Sequence, residues 1–229
     1  MLTLGTTFPD FTVKSTVGEI KIPDYFGTSW GLICTHPADF TPVCTTEFAR
    51  TIKILPEFEK RNVKIVGISC DTIENHKVWA ADIQCLARSN ESDKSGKCEL
   101  PFPIIADTDR KMVTELGMLD NLARTAAGIP LPARAVYFLD PKKIVRASIL
   151  YPASSGRNFD EIIRLLDSLQ TNAKTGLVTP VDWKVGDALI IPPTMSTEDA
   201  KKKFKGEIKV CPLPSGKEYM RYTNIEEGI

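Results

Sequence analysis

Histidine is scarce, with only His36 and His76 in 229 residues, and none of the six cysteines (34, 44, 70, 85, 98 and 211) has a partner at Cys-x-x-Cys spacing. The chain therefore lacks both the usual ligand set of a structural zinc site and an exchange dithiol, and neither a metal nor a bound cofactor is expected. Charge of one sign is missing too. Lys and Arg number 29, as do Asp and Glu, which argues against nucleic acid or an anionic membrane as the main partner. No apolar run approaches the roughly 20 residues that span a bilayer, and Met1-Leu2-Thr3-Leu4-Gly5-Thr6 is not a basic segment leading into an apolar core. The expectation is a soluble, cytoplasmic protein without stable membrane insertion, its cysteines held as thiols. There is no internal repeat and no low-complexity tract.

What is present is an alternation of strand and helix. Trp30-Gly31-Leu32-Ile33-Cys34-Thr35 is short and apolar, as a buried central strand requires. Val63 to Cys70 is a second, β-branched strand, after which Asp71 and Thr72 offer caps for a helix through Val78, Trp79, Ala81, Ile83 and Leu86. Phe102 to Ala106 follows as a short strand, and Asp107-Thr108-Asp109 opens a short helix toward Leu116. The pattern then changes. Arg134 to Leu139 and Ile144 to Leu150 read as an antiparallel hairpin turning at Asp140-Pro141-Lys142-Lys143. Asn158 caps an amphipathic helix carrying Phe159, Ile162, Ile163, Leu165, Leu166 and Leu169. This order predicts an α/β fold, a thioredoxin-like mixed sheet with helices on both faces.

A composition shift near Thr175-Gly176 separates this domain, 1–174, from a small C-terminal extension domain, 175–229. The extension has scattered prolines, a short helix after Ser196-Thr197-Glu198-Asp199 and a terminal hairpin turning at Pro214-Ser215-Gly216. So small a segment seldom holds a core unaided, and it is expected to pack on the main domain or on a second subunit, as in a homodimer.

Among the cysteines, Cys34 and Cys70 end apolar strands and read as core, while Cys85 and Cys98 flank a polar stretch, Arg88 to Lys97, that reads as an exposed loop. Cys44 stands differently. After the loop His36-Pro37-Ala38-Asp39-Phe40, Thr41 suits an N-cap and Pro42 the first helical position, so Cys44 falls at the third helical residue. Unpaired backbone N–H groups and the helix dipole favour a thiolate there. Cys44, Phe48, Ile52, Leu55 and Phe58 follow one helix face, with Glu47, Arg50, Lys53 and Glu57 mostly elsewhere; Pro56 kinks the helix or ends it at Leu55. Spacing alone leaves two readings for Cys44, a buried structural thiol and a nucleophile.

The run His36-Pro37-Ala38-Asp39-Phe40-Thr41-Pro42-Val43-Cys44-Thr45-Thr46-Glu47 resembles the active-site signature of peroxiredoxins. Leu100-Pro101-Phe102-Pro103, Ile149-Leu150-Tyr151-Pro152, Gly156-Arg157-Asn158-Phe159, Thr179-Pro180-Val181-Asp182-Trp183 and Leu213-Pro214-Ser215-Gly216-Lys217 extend the resemblance over essentially the whole chain, to the one-cysteine, peroxiredoxin-6-type branch. It implies that Cys44 is the peroxidatic cysteine, that Pro37 shields it, that Thr41 hydrogen-bonds sulfur and substrate, and that Arg134 sits beside the thiolate. Arg157 matches a second arginine near the site, and His36 is a further candidate for contact with the oxidised sulfur. The implied activity is reduction of hydrogen peroxide and organic or lipid hydroperoxides through a sulfenic acid on Cys44. An external thiol, glutathione or thioredoxin, is then needed as reductant.

Two segments depart from that pattern. Val210-Cys211-Pro212 is similar to a resolving-cysteine motif, although the residues after it match the one-cysteine branch. Gly27-Thr28-Ser29-Trp30-Gly31 fits the Gly-x-Ser-x-Gly of a lipase elbow. The branch pairs the corresponding serine with a histidine six residues earlier, where this chain has Pro23, and a strand rather than a helix follows. Ser29 is expected to be a turn residue. Lipid hydrolysis at Ser29, or a redox sensor or chaperone role, are the alternative functions.

Overall fold

The computed structural model describes residues 2–88 and 99–225; most of the expected polar loop, and Cys98 that flanks it, lie outside these residues. The chain divides into two compact units between Phe159 and Asp160. The first unit holds β1 (Thr12–Ser15), β2 (Gly18–Lys21), α1 (Ile22–Phe26), β3 (Trp30–Thr35), α2 (Pro42–Lys53), α3 (Leu55–Lys60), β4 (Val63–Ser69), α4 (Ile73–Ala87), β5 (Ile104–Ala106), α5 (Lys111–Glu115), β6 (Leu119–Arg124), β7 (Pro130–Pro132), β8 (Arg134–Leu139) and β9 (Val145–Tyr151). Seven of these strands form one sheet in the order β2-β1-β5-β4-β3-β8-β9, and β6 and β7 pair separately. β3, β4 and β5 run parallel, whereas β8 is antiparallel to β3 and β9 to β8. This is the thioredoxin-like mixed sheet expected.

The two faces of the sheet are covered by different helices. Ile33, Val66, Ile68 and Tyr137 pack with Ile22 and Phe26 of α1 and Met112, Val113 and Leu116 of α5. On the other face Phe48 of α2 packs edge-to-face on Trp79 of α4, with ring centroids 5.4 Å apart, and stacks on Phe102 at 5.7 Å. Gly67 is required beneath α2, because a Cβ there would lie 3.0 Å from the Phe48 ring and 3.2 Å from Ile104.

Local chemistry sets most of the boundaries. The Thr72 hydroxyl caps α4 by accepting from the Asn75 N–H at 3.2 Å. Asp107 accepts from the N–H groups of Met112 and Val113 and so anchors α5. Pro56 sits in the first turn of α3, and α2 stops before it at Ile54. The hairpin turn after β8 is tied by Asp140, whose carboxylate accepts from the N–H groups of Lys142 and Ile144.

The buried face of α2 departs from expectation. It consists of Cys44, Glu47, Phe48, Ala49 and Thr51, while Ile52 and Leu55 are only half-buried. A charged partner lies beneath it, so the helix turns Glu47 inward.

The second unit contains all but the first residue of α6 (Phe159–Thr175), with β10 (Leu189–Ile190), α7 (Thr197–Lys203), β11 (Lys209–Val210) and β12 (Arg221–Thr223). Its three short strands are ordered β10-β12-β11 around a core of Leu177, Trp183, Leu189, Ile191 and Ala200. The expected boundary at 174/175 would leave α6 outside this unit. Instead α6 is bonded into it: Ser168 to the Thr179 hydroxyl at 2.7 Å, Asn172 to the Leu177 carbonyl at 2.9 Å, and Arg164 to the Trp183 carbonyl at 3.4 Å. No helix among the described residues is long and apolar enough to cross a membrane.

Candidate active site

The chain leaves β3 at Thr35, loops through residues 36–40 with Phe40 at a positive φ of 54°, and enters α2 with Thr41 in the N-cap position and Pro42 after it. Cys44, the third residue of the helix, is fully buried. The Thr41 hydroxyl does not cap the helix; it donates back to the Ala38 carbonyl at 3.0 Å and so closes the loop. Pro37 is buried within that loop.

Arg134 begins β8 on the strand face shared by Val136, which pairs with Cys34 and through it with Gly67 beneath α2. This alternation brings its guanidinium to the first turn of α2. Nη1 donates to Cys44 Sγ at 3.2 Å and to Glu47 Oε2 at 3.0 Å, while Nε and Nη2 both donate to the Ala153 carbonyl, at 3.1 and 2.7 Å. Arg157, which by sequence alone reads equally well as a surface residue, is buried against the same carboxylate. Its backbone N and Nε donate to Glu47 Oε1 and its Nη2 to Glu47 Oε2, and Nη2 also reaches the Thr35 carbonyl at 2.8 Å.

Glu47 thus joins two arginines to the helix that carries the sulfur. Burial opposes its ionisation, but the charge and hydrogen bonds of Arg157, with the charge of Arg134, outweigh burial and hold its carboxyl below the ordinary range. Two guanidinium charges against one carboxylate leave a net positive charge in this cluster, which stabilises negative charge on the sulfur or on an oxygen leaving it.

A second buried cluster lies at the same end of β3. Asp39 accepts from both histidines, His36 Nε2 at 2.8 Å and His76 Nδ1 at 2.6 Å. Burial lowers the pKa of His36, an effect that Asp39 offsets only in part. His36, Asp39 and His76 are the one group among the described residues whose donor atoms are close enough to share a metal ion, all within 4.8 Å of one another. In each ring the nitrogen facing Asp39 is already engaged with its carboxylate.

Other cysteines are placed differently. Cys34 is buried, and desolvation outweighs the nearby Arg157 charge to push its thiol pKa up; Cys70 is half-buried and pushed up to about 11. Cys211 is exposed next to β11 in the second unit, and Cys44 and Cys211 are both free thiols. Ser29 is buried in the turn before β3, where its hydroxyl donates to Asn62 Oδ1 at 2.8 Å. The chain's two histidines are both engaged with Asp39, and Ser29 leads into a strand, so the elbow reading fails on geometry.

Of the residues singled out from the sequence, the structure joins Cys44, Arg134 and Arg157 in one cluster, places Thr41, Pro37 and His36 in the loop and cap that lead into α2, and adds Glu47, Asp39 and His76, which the sequence reading did not single out. A glutamate three residues after the cysteine lies on the same helix face, and that spacing is the signal that points to it.

A thioredoxin-like domain that buries a lone thiol under an arginine at the start of a helix has the layout of a thiol peroxidase. Comparison with known proteins bears this out. The AhpC/TSA family matches residues 4–148, and the C-terminal domain of 1-Cys peroxiredoxin matches residues 168–207. Peroxiredoxin-6 of Gallus gallus is 49% identical and that of Homo sapiens 47%, each over 222 residues and 97% of both chains. A crystal structure of a cysteine-to-serine mutant of peroxiredoxin 6 of Arenicola marina superposes with a TM-score of 0.90 at 46% identity, covering 97% of this chain and 98% of that one. A yeast mitochondrial 1-Cys peroxiredoxin, whose thiol resolving mechanism runs via the glutathione/thioredoxin systems, superposes at 0.85 with 40% identity, covering 97% and 99%. The chain belongs to the AhpC/TSA family, in its one-cysteine, peroxiredoxin-6-type branch, and is a peroxidase.

Proposed function

We propose that Cys44 is the peroxidatic nucleophile and that Arg134, Thr41 and Pro37 form its working environment. The Cys44 thiolate attacks one oxygen of a hydroperoxide. The O–O bond breaks, a sulfenic acid forms on sulfur, and the other oxygen leaves as an alkoxide or hydroxide that takes up a proton. Arg134 and the N–H groups of Val43 and Cys44, which have no partner inside the helix, stabilise the charge that grows on the leaving oxygen. Because the Thr41 hydroxyl donates to Ala38, its lone pairs are available to accept the peroxide O–H. Pro37 walls the loop side and keeps bulk water from the sulfenic acid. Arg157 acts on Arg134 through Glu47.

The observation that carries this reading is the 3.2 Å contact from Arg134 Nη1 to Cys44 Sγ inside a buried ion-pair cluster. In stopped-flow measurements Cys44→Ser is expected to lose fast peroxide consumption altogether. A serine variant as fast as the wild type would refute the assignment.

The reductant is an external thiol, and glutathione or thioredoxin is the proposed source. A resolving role for exposed Cys211 is tested by intact mass after equimolar peroxide. The expected product is a Cys44 sulfenic acid with and without Cys211, and a disulfide that disappears in Cys211→Ser would reverse the assignment. The working unit is proposed to be a homodimer. The outer edge strand β9, with Leu150 exposed, supports this reading, and sedimentation at micromolar concentration tests it.

A further inference from the structure

Trp79 of α4 is fully buried, with its ring centroid 5.4 Å from that of Phe48 and 5.1 Å from that of His36. Its indole N–H leaves this packing and crosses to α2, where it donates to the Thr45 hydroxyl at 3.1 Å. Thr45 directly follows Cys44. A threonine hydroxyl accepts and donates at once, and this one passes its own hydrogen to the Thr41 carbonyl at 2.8 Å. The same carbonyl accepts the Thr45 backbone N–H at 3.0 Å, the bond that opens the helix. Three groups from two helices are thus joined head to tail, and the chain of bonds ends on the N-cap residue.

Two donors on one carbonyl are more than helix formation requires, since the backbone bond alone satisfies the Thr41 oxygen. What the second donor adds is direction. A hydroxyl that accepts from the indole keeps its hydrogen for Thr41, so Trp79 decides which way Thr45 turns. A hydroxyl bonded to the carbonyl four residues back also bends a helix slightly. Thr46 and Thr51 donate back along α2 as well, to the Val43 and Glu47 carbonyls, but among the described residues Thr45 is the one of the three that accepts from another helix. The bend is therefore fixed at the turn that carries Cys44. That turn also presents the Thr41 hydroxyl, tied back to Ala38 at 3.0 Å, and the N–H groups of Val43 and Cys44.

We propose that Trp79 is a positioning residue for the peroxide step. Through Thr45 its indole N–H holds the Thr41 carbonyl, and with it the first turn of α2, so that the Thr41 hydroxyl and the Val43 and Cys44 N–H groups converge on one hydroperoxide. This rests on Cys44 being the peroxidatic residue. The consequence is specific to a reaction that builds charge on a leaving oxygen, because donors displaced by a fraction of an ångström lose much of their effect there. Alkylation by iodoacetamide makes no such demand: an S–C bond forms, the C–I bond breaks, and iodide departs without those donors.

The two reactions together provide the test. Trp79→Phe keeps an aromatic ring beside Phe48 and His36 and removes the N–H. It is expected to slow peroxide consumption in stopped flow roughly tenfold, the worth of one hydrogen bond, and to leave alkylation of Cys44, followed by mass at that residue, unchanged. A role confined to packing gives a different pair, because a loosened turn exposes the buried thiol and speeds alkylation. Thr45 supplies the rescue. Thr45→Val, which keeps the shape without the hydroxyl, is expected to match Trp79→Phe, whereas Thr45→Ser still accepts and donates and restores the wild-type rate. The double variant Trp79→Phe/Thr45→Val is expected to be no slower than either single one, since each breaks the same chain of bonds. If Trp79→Phe does not fold, the two Thr45 variants carry the comparison. Four results would overturn the positioning role: Trp79→Phe as fast as the wild type, alkylation rising as peroxide consumption falls, serine behaving as valine does, or a double variant showing two independent losses. A Cys44→Ser variant that consumes peroxide as fast as the wild type would instead refute the peroxidatic assignment beneath it.

Discussion

Glu47 is the residue on which the charge arrangement at Cys44 turns, because one carboxylate fixes two guanidinium groups that otherwise repel each other next to the sulfur. Removing one partner of a buried ion pair leaves an uncompensated charge, so Glu47→Gln is expected to cost about 3 kcal/mol of stability in urea unfolding. Its pH dependence has a definite sign. Burial raises and the arginines lower the Glu47 pKa, with the arginines dominant, so the folded carboxyl titrates below the ordinary glutamate value of 4.5. The stability it supplies is complete above that value and is lost as pH falls through the folded pKa. Glu47→Gln is therefore expected to flatten the acid limb of a stability–pH curve and to leave the neutral region displaced downward. Arg134 is equally specific in shape, since its fork serves Cys44, Glu47 and Ala153 together. A lysine keeps the charge but not the fork, and Arg134→Lys is expected to slow the peroxide step roughly 100-fold in stopped-flow fluorescence. Sequence reasoning places both arginines by resemblance and leaves Glu47 on the solvent side. Glu47 lies in the second turn of α2, where nothing in its own helix marks it as buried, and its partners are 87 and 110 residues away.

At the scale of elements, the site depends on how closely α2 lies on the sheet. Most of these elements are legible in the sequence because each has a local cause: the apolar run of β3, the Thr72 cap, Pro56 at the start of α3, the Asp140 turn. Less legible are β1 and β2, short strands with mostly exposed or half-buried side chains, and the membership of α6, which is decided by bonds to residues beyond its own end. The depth of α2 is set by a residue no periodicity singles out. Gly67 lies under Phe48, and a methyl group there must displace the ring or Ile104. Gly67→Ala is expected to cost about 1–3 kcal/mol by overpacking. Because Phe48 and Cys44 share a helix face, it is also expected to shift Sγ from Arg134 and lower the peroxide rate. A variant as stable and as fast as the wild type would show that α2 has slack above the sheet.

At the scale of the whole molecule, the reactive residues and their supports, from His36 to Arg157, all belong to the first unit, while the second unit has its own small core. Trp183 is central to that core: its Nε1 donates to the Asp187 carbonyl at 3.1 Å, and its own carbonyl accepts from Arg164 of α6. Replacing a buried tryptophan with alanine leaves a large cavity and typically costs about 3–5 kcal/mol. So small a core cannot absorb that loss and remain closed, so opening of the second unit becomes frequent without global unfolding. Trp183→Ala is expected to speed amide hydrogen exchange across 177–223 while the strands β3, β4 and β8 stay protected. The peroxide step is expected to fall less than twofold, because every reactive residue and its supports belong to the first unit. If the rate instead drops in step with exchange in the second unit, the two units work as one, and the chemistry at Cys44 depends on the C-terminal extension as well as on the sheet beneath it.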